Sequence, residues 1–222
     1  MKITDFRKLI QEIPHNNHSF DIKKSNWKCD NQSRIIDRIF EGKDIVTLNR
    51  YDLINSKWNI EEFIIKTLMW GYPTKGRGNN INTLLMEDNF KKLIYKLEHY
   101  KNTEISIGTL KKDMDEIPRL GLSTITKFTH FLNTRIEGFR ALILDARIIE
   151  VINSGRFEEL NSLKGININN ALRKYVDYIR IIDMISKDTN SHPDQVEMFL
   201  FTLGKNLSEI QGEEYYGDIT DM

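Results

Sequence analysis

Residues 117–127 have the sequence IPRLGLSTITK, and this stretch predicts a short turn followed by a helix. Its proline and glycine are typical of turns, and Ser123 can cap the helix that follows. Phe128 and Phe131 then supply an apolar face for that helix. The stretch therefore predicts two helices joined by a hairpin, with a second helix that packs into the core.

The first turn of such a helix is suited to bind a phosphate. Its amides have no partner within the helix and lie at the positive end of the helix dipole. They can hold a nucleic-acid backbone without reading the base sequence. We assign this contact to Arg119, Gly121, Ser123 and Thr124.

The composition is that of an ordinary globular protein. Of the 222 residues, 40% are hydrophobic and 29% are charged, unlike disordered or membrane proteins. No apolar run approaches the roughly 20 residues of a membrane span. Residues 1–7 lack the apolar segment of a signal peptide. We therefore expect a cytoplasmic protein.

Charge and cysteine content restrict the kinds of site. Lys+Arg and Asp+Glu each number 32, so the net charge is zero and no global basic field attracts DNA. The single cysteine, Cys29, excludes an internal disulfide and a four-cysteine iron–sulfur cluster. The histidines show no metal-ligand spacing. We expect no cofactor and no metal.

Helical periodicity dominates the chain. Apolar residues recur at three- and four-residue steps over 170–187, and a further helix follows Pro193. In the first half we predict helices over residues 5–12, 32–40, 60–70 and 90–100. Residues 45–48 form a short strand or nothing regular.

These patterns predict an all-α protein. About eight helices would form two lobes with a cleft between them. They would make up a single domain over residues 1–206, followed by a weakly ordered acidic tail over 207–222.

Several segments resemble the helix-hairpin-helix DNA glycosylases, in particular bacterial proteins with an 8-oxoguanine DNA glycosylase fold. Besides the hairpin, they are MWGYP (69–73) with GRGNN (76–80), ALILDARI (141–148), and residues 175–178 with VEMFLF (196–201). Together they cover roughly residues 65 to 205 and occur in the order expected for the family.

The resemblance implies base excision by a lysine and an aspartate. A lysine amine attacks the sugar carbon and forms a Schiff base that can go on to cleave the strand. Lys127 is the candidate nucleophile, since apolar neighbours disfavour a charged amine. Asp145, 18 residues later, would stabilise positive charge on the sugar and transfer protons.

A second alignment remains open. If the hairpins are superposed through Pro118 and Gly121, the family lysine falls on Ser123. Members without this lysine use water with the aspartate and do not cut the strand. Because Ser123 and Lys127 are one helical turn apart, both can face the same cleft. We prefer Lys127.

The base pocket would be formed by aromatic residues and the glycine-rich loop. Trp70 and Tyr72 offer stacking surfaces for a flipped base, Arg77 an anion contact, and Phe199 a wall from a C-terminal helix. His130 lies three residues after Lys127, and a partly buried helical histidine is preferred over a proton-transfer role.

The sequence thus favours a DNA glycosylase, with AP lyase activity, that flips out and excises a damaged base such as 8-oxoguanine. Two alternatives remain. One is a nucleic-acid or modified-nucleobase binding protein of the same fold without turnover, for example in bacterial defence. The other is a helical protein-interaction domain.

Overall fold

The computed structural model describes residues 1–76 and 78–207. Most of this part is helical, as predicted, and it contains eleven α-helices. They are α1 (Arg7–Glu12), α2 (Ser33–Phe40), α3 (Arg50–Ser56), α4 (Ile60–Gly71), α5 (Asn80–Leu85), α6 (Glu87–Glu98), α7 (Ile107–Glu116), α8 (Leu122–Phe131), α9 (Ala146–Ser154), α10 (Ala171–Thr189) and α11 (Pro193–Thr202). Short 3-10 helices occupy Ile3–Phe6, His15–Asn17, Lys24–Trp27 and Glu158–Leu163. None of the helices described here is both long and apolar enough to cross a membrane.

Two small sheets accompany the helices. Strands β1 (Ser19–Lys23) and β2 (Ile45–Asn49) pair antiparallel, with Ser19 opposite Asn49. Strand β3 (Glu104–Ile105) pairs in parallel with β4 (Arg135–Ile136), and β4 pairs antiparallel with β5 (Phe139–Arg140). The second sheet connects the segment before α7 to the hairpin after α8.

The longest helix, α10, follows the predicted apolar stripe. Tyr175, Tyr178, Ile179 and Ile182 are buried on one face, whereas the charged residues between them face away from the core. This stripe packs into a continuous hydrophobic core to which most of the helices contribute. The centre of the molecule is therefore built around α10, α11, α4 and α8.

Two sequence expectations about local structure need correction. Gly121, not Ser123, is the N-cap of α8, and no side chain caps that helix. The helix begins at Leu122, directly after the extended backbone of Gly121, so Ser123 already lies within the first turn. The strand at 45–48 does form, and it pairs with β1, for which the sequence predicts no regular element.

Two further expectations are not tested by the structure. Residues 208–222, most of the predicted tail, lie outside the described residues. The division of the helices into two lobes remains a prediction.

Candidate active site

A cavity of about 720 Å³ lies beside the turn between α7 and α8. It is lined by parts of four segments, within residues 72–84, 114–124, 144–153 and 166–172. Its volume is in the range of pockets that bind small organic molecules. We regard it as the candidate active site.

The first turn of α8 forms part of the wall. The backbone of Arg119 is left-handed, with φ of +67°, and Gly121 follows as the N-cap. The carbonyl of Gly121 accepts hydrogen bonds from the amides of Thr124 and Ile125, both at 3.0 Å. Arg119, Gly121, Ser123 and Thr124, the predicted DNA contacts, all line the cavity.

A buried extended segment, residues 141–144, carries the chain from β5 to α9 between α8 and α10. The hydroxyl of Tyr175 donates to the carbonyl of Leu142 at 2.6 Å and accepts from its amide at 3.2 Å. The Tyr178 hydroxyl donates to the Ile143 carbonyl at 3.0 Å. The Thr126 hydroxyl accepts from the Leu144 amide at 3.3 Å.

Asp145 is placed by this segment. Its Oδ1 caps α9 by accepting from the amides of Arg147 (3.0 Å) and Ile148 (3.1 Å). The side chain is half-buried and lines the cavity. Within the described part of the chain, no hydrogen bond reaches its Oδ2. One carboxylate oxygen is thus fixed by the helix, and the other is available to a ligand.

Lys127 lies behind the cavity wall. Its side chain is 4% exposed, and Nζ donates to Oγ and the carbonyl of Ser123, at 2.8 and 3.0 Å. The amine also lies 5.4 Å from the ring centroid of Tyr72. Ser123 and Tyr72 line the cavity, but Lys127 does not. The predicted nucleophile therefore lies one hydrogen bond away from the space that a ligand would occupy.

Tyr72 directly follows α4 and lines the cavity in a fixed orientation. Its hydroxyl and that of Thr124 are hydrogen bonded at 2.8 Å. This contact joins the end of α4 to the first turn of α8. Tyr72 is the one predicted base-pocket aromatic that lines the cavity.

The structure places the other predicted base-pocket residues elsewhere. Trp70 is 3% exposed, and its Nε1 donates to the carbonyl of His18 at 3.2 Å within an aromatic cluster. Phe199 is fully buried against Phe6 and Phe157. Both aromatic rings belong to the core, because the faces of α4 and α11 that carry them are directed away from the cavity. Arg77 lies outside the described residues.

His130 is a buried structural residue. Its Nδ1 donates to the carbonyl of Ala141 at 3.1 Å, and its Nε2 lies 3.9 Å from Oδ2 of Asp194. Burial lowers the pKa of His130 to about 3, although the nearby Asp194 acts in the opposite direction. The ring does not line the cavity, and with this pKa it is neutral at physiological pH. Its hydrogen bond to Ala141 positions the start of the 141–144 segment.

Two basic residues, Lys75 and Arg119, line the cavity. Arg140 instead binds Asp194 in a bidentate ion pair, with nitrogen–oxygen distances of 2.7 and 2.8 Å. Burial alone would raise the pKa of Asp194, but His130 and Arg140 hold it well below its ordinary value. Arg140 is therefore a structural residue.

His15, His192 and Asp194 place ligand atoms within 4.8 Å of one another. The two imidazole rings are stacked in parallel at 5.5 Å, so no single point lies in both ring planes, where the nitrogen lone pairs point. Both oxygens of Asp194 already accept from Arg140. This geometry favours a stacked, ion-paired contact over a metal centre.

Sequence reasoning missed a large share of the cavity wall. Ile81 and Leu84 on α5, Ile149 on α9, and the loop with Ile166 and Ile168 all line it. Isolated aliphatic residues in short helices and loops carry no motif, so the sequence offered no signal for them.

A family model matches residues 14–201, which is most of the chain. No curated protein and no solved structure matched the sequence. The match includes the turn at 117–121, the segment that carries Asp145, and all four segments of the cavity wall. The chain belongs to the family described as "Putative 8-oxoguanine DNA glycosylase OGG-like protein".

Proposed function

We propose that this protein is a DNA glycosylase that takes a flipped, modified base into the cavity and breaks its glycosidic bond with the help of Asp145. One observation carries the proposal. A carboxylate with one helix-bound oxygen and one available oxygen lines a cavity that is also lined by the first turn of α8. The family membership and its description support the same activity.

The turn between α7 and α8 would act as a helix-hairpin-helix motif for the DNA backbone. The amides of Leu122 and Ser123, the first two residues of α8, can bind an incoming phosphate because they lack partners within the helix. Arg119 adds a positive charge at the same place. Asp145 is the one acidic residue among the described cavity residues, beside two basic ones, so the cavity rim is locally basic although the whole chain is neutral.

The chemistry follows from the position of the Asp145 carboxylate. As the bond between the sugar carbon and the base nitrogen breaks, the electron pair leaves with the base and positive charge develops on the sugar. A fixed carboxylate stabilises that charge more in the transition state than in the ground state. Asp145 can also accept a proton from an attacking water.

Two nucleophiles are compatible with this site. The resting geometry favours water, because Ser123 rather than Lys127 lines the cavity. In the lysine route, the neutral amine of Lys127 attacks the sugar carbon, expels the base and forms a Schiff base. This route requires Lys127 to leave its two hydrogen bonds to Ser123. The two routes differ in whether the DNA strand is cleaved.

A non-catalytic binding protein of the same fold is the second candidate. Two observations favour it, namely the zero net charge of the chain and the burial of Lys127 behind Ser123. Such a protein would hold a modified base in the same cavity without releasing it.

The test is incubation with duplex and single-stranded oligonucleotides carrying 8-oxoguanine, other modified bases or an abasic site, with borohydride present. Wild type is compared with Lys127→Gln and Asp145→Asn. Asparagine is as good an N-cap as aspartate, so Asp145→Asn removes the charge and keeps α9 capped. Lys111→Gln, on the exposed side of α7, is the matched control.

Base release that is lost in Asp145→Asn supports the glycosylase. A trapped adduct that is lost in Lys127→Gln but not in Lys111→Gln supports the lysine route. Release without an adduct that survives in Lys127→Gln supports water. Tight binding of modified DNA without base release or adduct would favour the non-catalytic binding protein over the glycosylase.

A further inference from the structure

The hydrogen-bonding groups of the cavity wall are largely engaged with one another. The hydroxyls of Tyr72 and Thr124 pair with each other. The hydroxyl of Ser123 accepts from Lys127. Each of these groups would have to give up an internal bond, or share it, to recognise a ligand.

Two asparagines of the wall hold the loop between α9 and α10. Asn153 donates to the carbonyl of Ile166 at 2.8 Å and accepts from the amide of Gly165 at 3.0 Å. Asn167 accepts from the amide of Asn169 at 2.9 Å and donates to the Gly165 carbonyl at 3.3 Å. Their amide groups are thus used to fix the loop.

The inner wall is aliphatic. The cavity-lining apolar residues that are at most 5% exposed are Ile81, Leu84, Leu144, Ile166 and Ala171. Of the polar side chains that remain available within the described wall, Oδ2 of Asp145 is used by the proposed chemistry. Asn80 and Arg119 are exposed at the rim, and the half-buried Lys75 donates to the carbonyl of Lys28. The buried part therefore offers apolar contact and shape, with few side-chain hydrogen bonds.

This distribution determines which bases the cavity can distinguish. An oxidised purine differs from its parent in its donors and acceptors, so its selection needs buried groups placed to bond them. An apolar wall discriminates by size and apolar area, at roughly 10- to 200-fold per methylene. We infer that the cavity selects a nucleobase enlarged by an apolar substituent, an alkyl group or a fused apolar ring, over one that differs from its parent by oxidation. This inference rests on the proposed function.

The experiment measures equilibrium binding of Asp145→Asn protein, in which the substrate stays intact, to oligonucleotides with one central base. The bases are ethenoadenine, adenine, 8-oxoguanine and guanine. We expect ethenoadenine to bind at least about tenfold more tightly than adenine, and 8-oxoguanine to differ from guanine by much less. Single-turnover excision by wild type should follow the same order.

A cavity-filling variant separates the cavity from the rest of the DNA interface. Leu172→Trp adds a large ring at a half-buried position of the wall, on the first turn of α10. Met184→Trp on the same helix is exposed and outside the cavity, and serves as the matched control. We expect Leu172→Trp to abolish the ethenoadenine preference and to keep binding to unmodified DNA, whereas Met184→Trp retains both.

The outcomes distinguish the inference from the proposed function. Preferred binding and excision of 8-oxoguanine would overturn the inference and leave the glycosylase intact. An ethenoadenine preference that survives in Leu172→Trp would also overturn it, because recognition would then lie elsewhere. If wild type neither binds nor excises any modified base, both the proposed function and the inference fail.

Discussion

Gly71 controls the position of Lys127. A Cβ at residue 71 would lie 2.8 Å from Cδ and 3.0 Å from Cε of Lys127, closer than unstrained contacts allow. Gly71→Ala should therefore displace the lysine from Ser123 and destabilise the protein by about 1–3 kcal/mol. Urea unfolding measures this change.

Gly108→Ala is the control for that variant. Gly108 lies in the first turn of α7, where an added Cβ would meet Oγ of Ser106 at an ordinary 3.5 Å. Alanine should stabilise this helix by up to about 1 kcal/mol. If both variants change the free energy of unfolding in the same direction, the contact with Lys127 does not cause the change in Gly71→Ala.

The buried imidazole of His130 makes stability depend on pH. Its pKa is about 3 in the native state because of burial, against about 6.5 in the unfolded chain. Between these values the unfolded state binds a proton that the native state does not, so the free energy of unfolding falls as the pH falls. This contribution is fully present above pH 6.5.

The variant His130→Gln tests whether His130 causes this pH dependence. From pH 7 to pH 5, wild type should lose about 2 kcal/mol more than His130→Gln, which has no titrating ring. Urea unfolding at the two pH values gives the difference. Equal losses in both proteins would show that other groups cause the dependence.

At the scale of single residues, the motifs around the hairpin and around Asp145 predicted residues that do line the cavity, among them Gly121, Ser123 and Asp145. The cap of α8 was predicted wrongly, because serine is a common cap in general but glycine occupies that position here. Trp70 and Phe199 could not be placed, because an aromatic side chain suits a core and a base pocket equally. Only the packing of their helices decides between the two.

At the scale of elements, α10 determines where Asp145 lies. Tyr175 bonds both the amide and the carbonyl of Leu142. Tyr175→Phe leaves these two buried groups without that partner and should cost about 1–3 kcal/mol. If Asp145 is catalytic, we also expect kcat to fall more than KM rises, since transition-state contacts suffer most.

Tyr95→Phe is the control, because Tyr95 is 64% exposed on α6. It should change stability by no more than about 0.5 kcal/mol and leave kcat unaltered. Unfolding and single-turnover kinetics on the two variants provide the comparison. A Tyr175→Phe protein with native stability would contradict the proposed positioning role.

Element prediction succeeded where periodicity was strong. The helices α4, α10 and α11 were predicted because each repeats apolar residues over several turns. Strand β1 was missed because it has only two apolar residues, Phe20 and Ile22, within a polar stretch. Helices α3 and α5 have seven and six residues, too few for a periodic signal, and they are fixed by tertiary packing.

At the scale of the whole molecule, a neutral chain must bind DNA through local charge. The described cavity residues include two basic ones, Lys75 and Arg119. Arg119 is exposed, and no described carboxylate lies within salt-bridge distance of it. Arg119→Gln should therefore weaken binding equally for every base and reduce the slope of log K against log salt by about one.

Arg180→Gln is the matched control, since Arg180 is an exposed arginine of α10 outside the cavity that pairs with Asp177. Titrations at several salt concentrations, with modified and unmodified duplexes, measure both slopes. A base-dependent loss in Arg119→Gln would instead place Arg119 in base recognition.

The way residues 141–144 are held has an evolutionary consequence. The side chains of Thr126, His130, Tyr175 and Tyr178 bond to backbone atoms of this segment, so its own side chains need only be apolar. Selection that preserves the carboxylate of Asp145 therefore acts on residues that never meet a substrate. Among relatives of this chain, we expect these four positions to be conserved because they fix the position of the carboxylate, whereas residues 141–144 can vary among aliphatic residues.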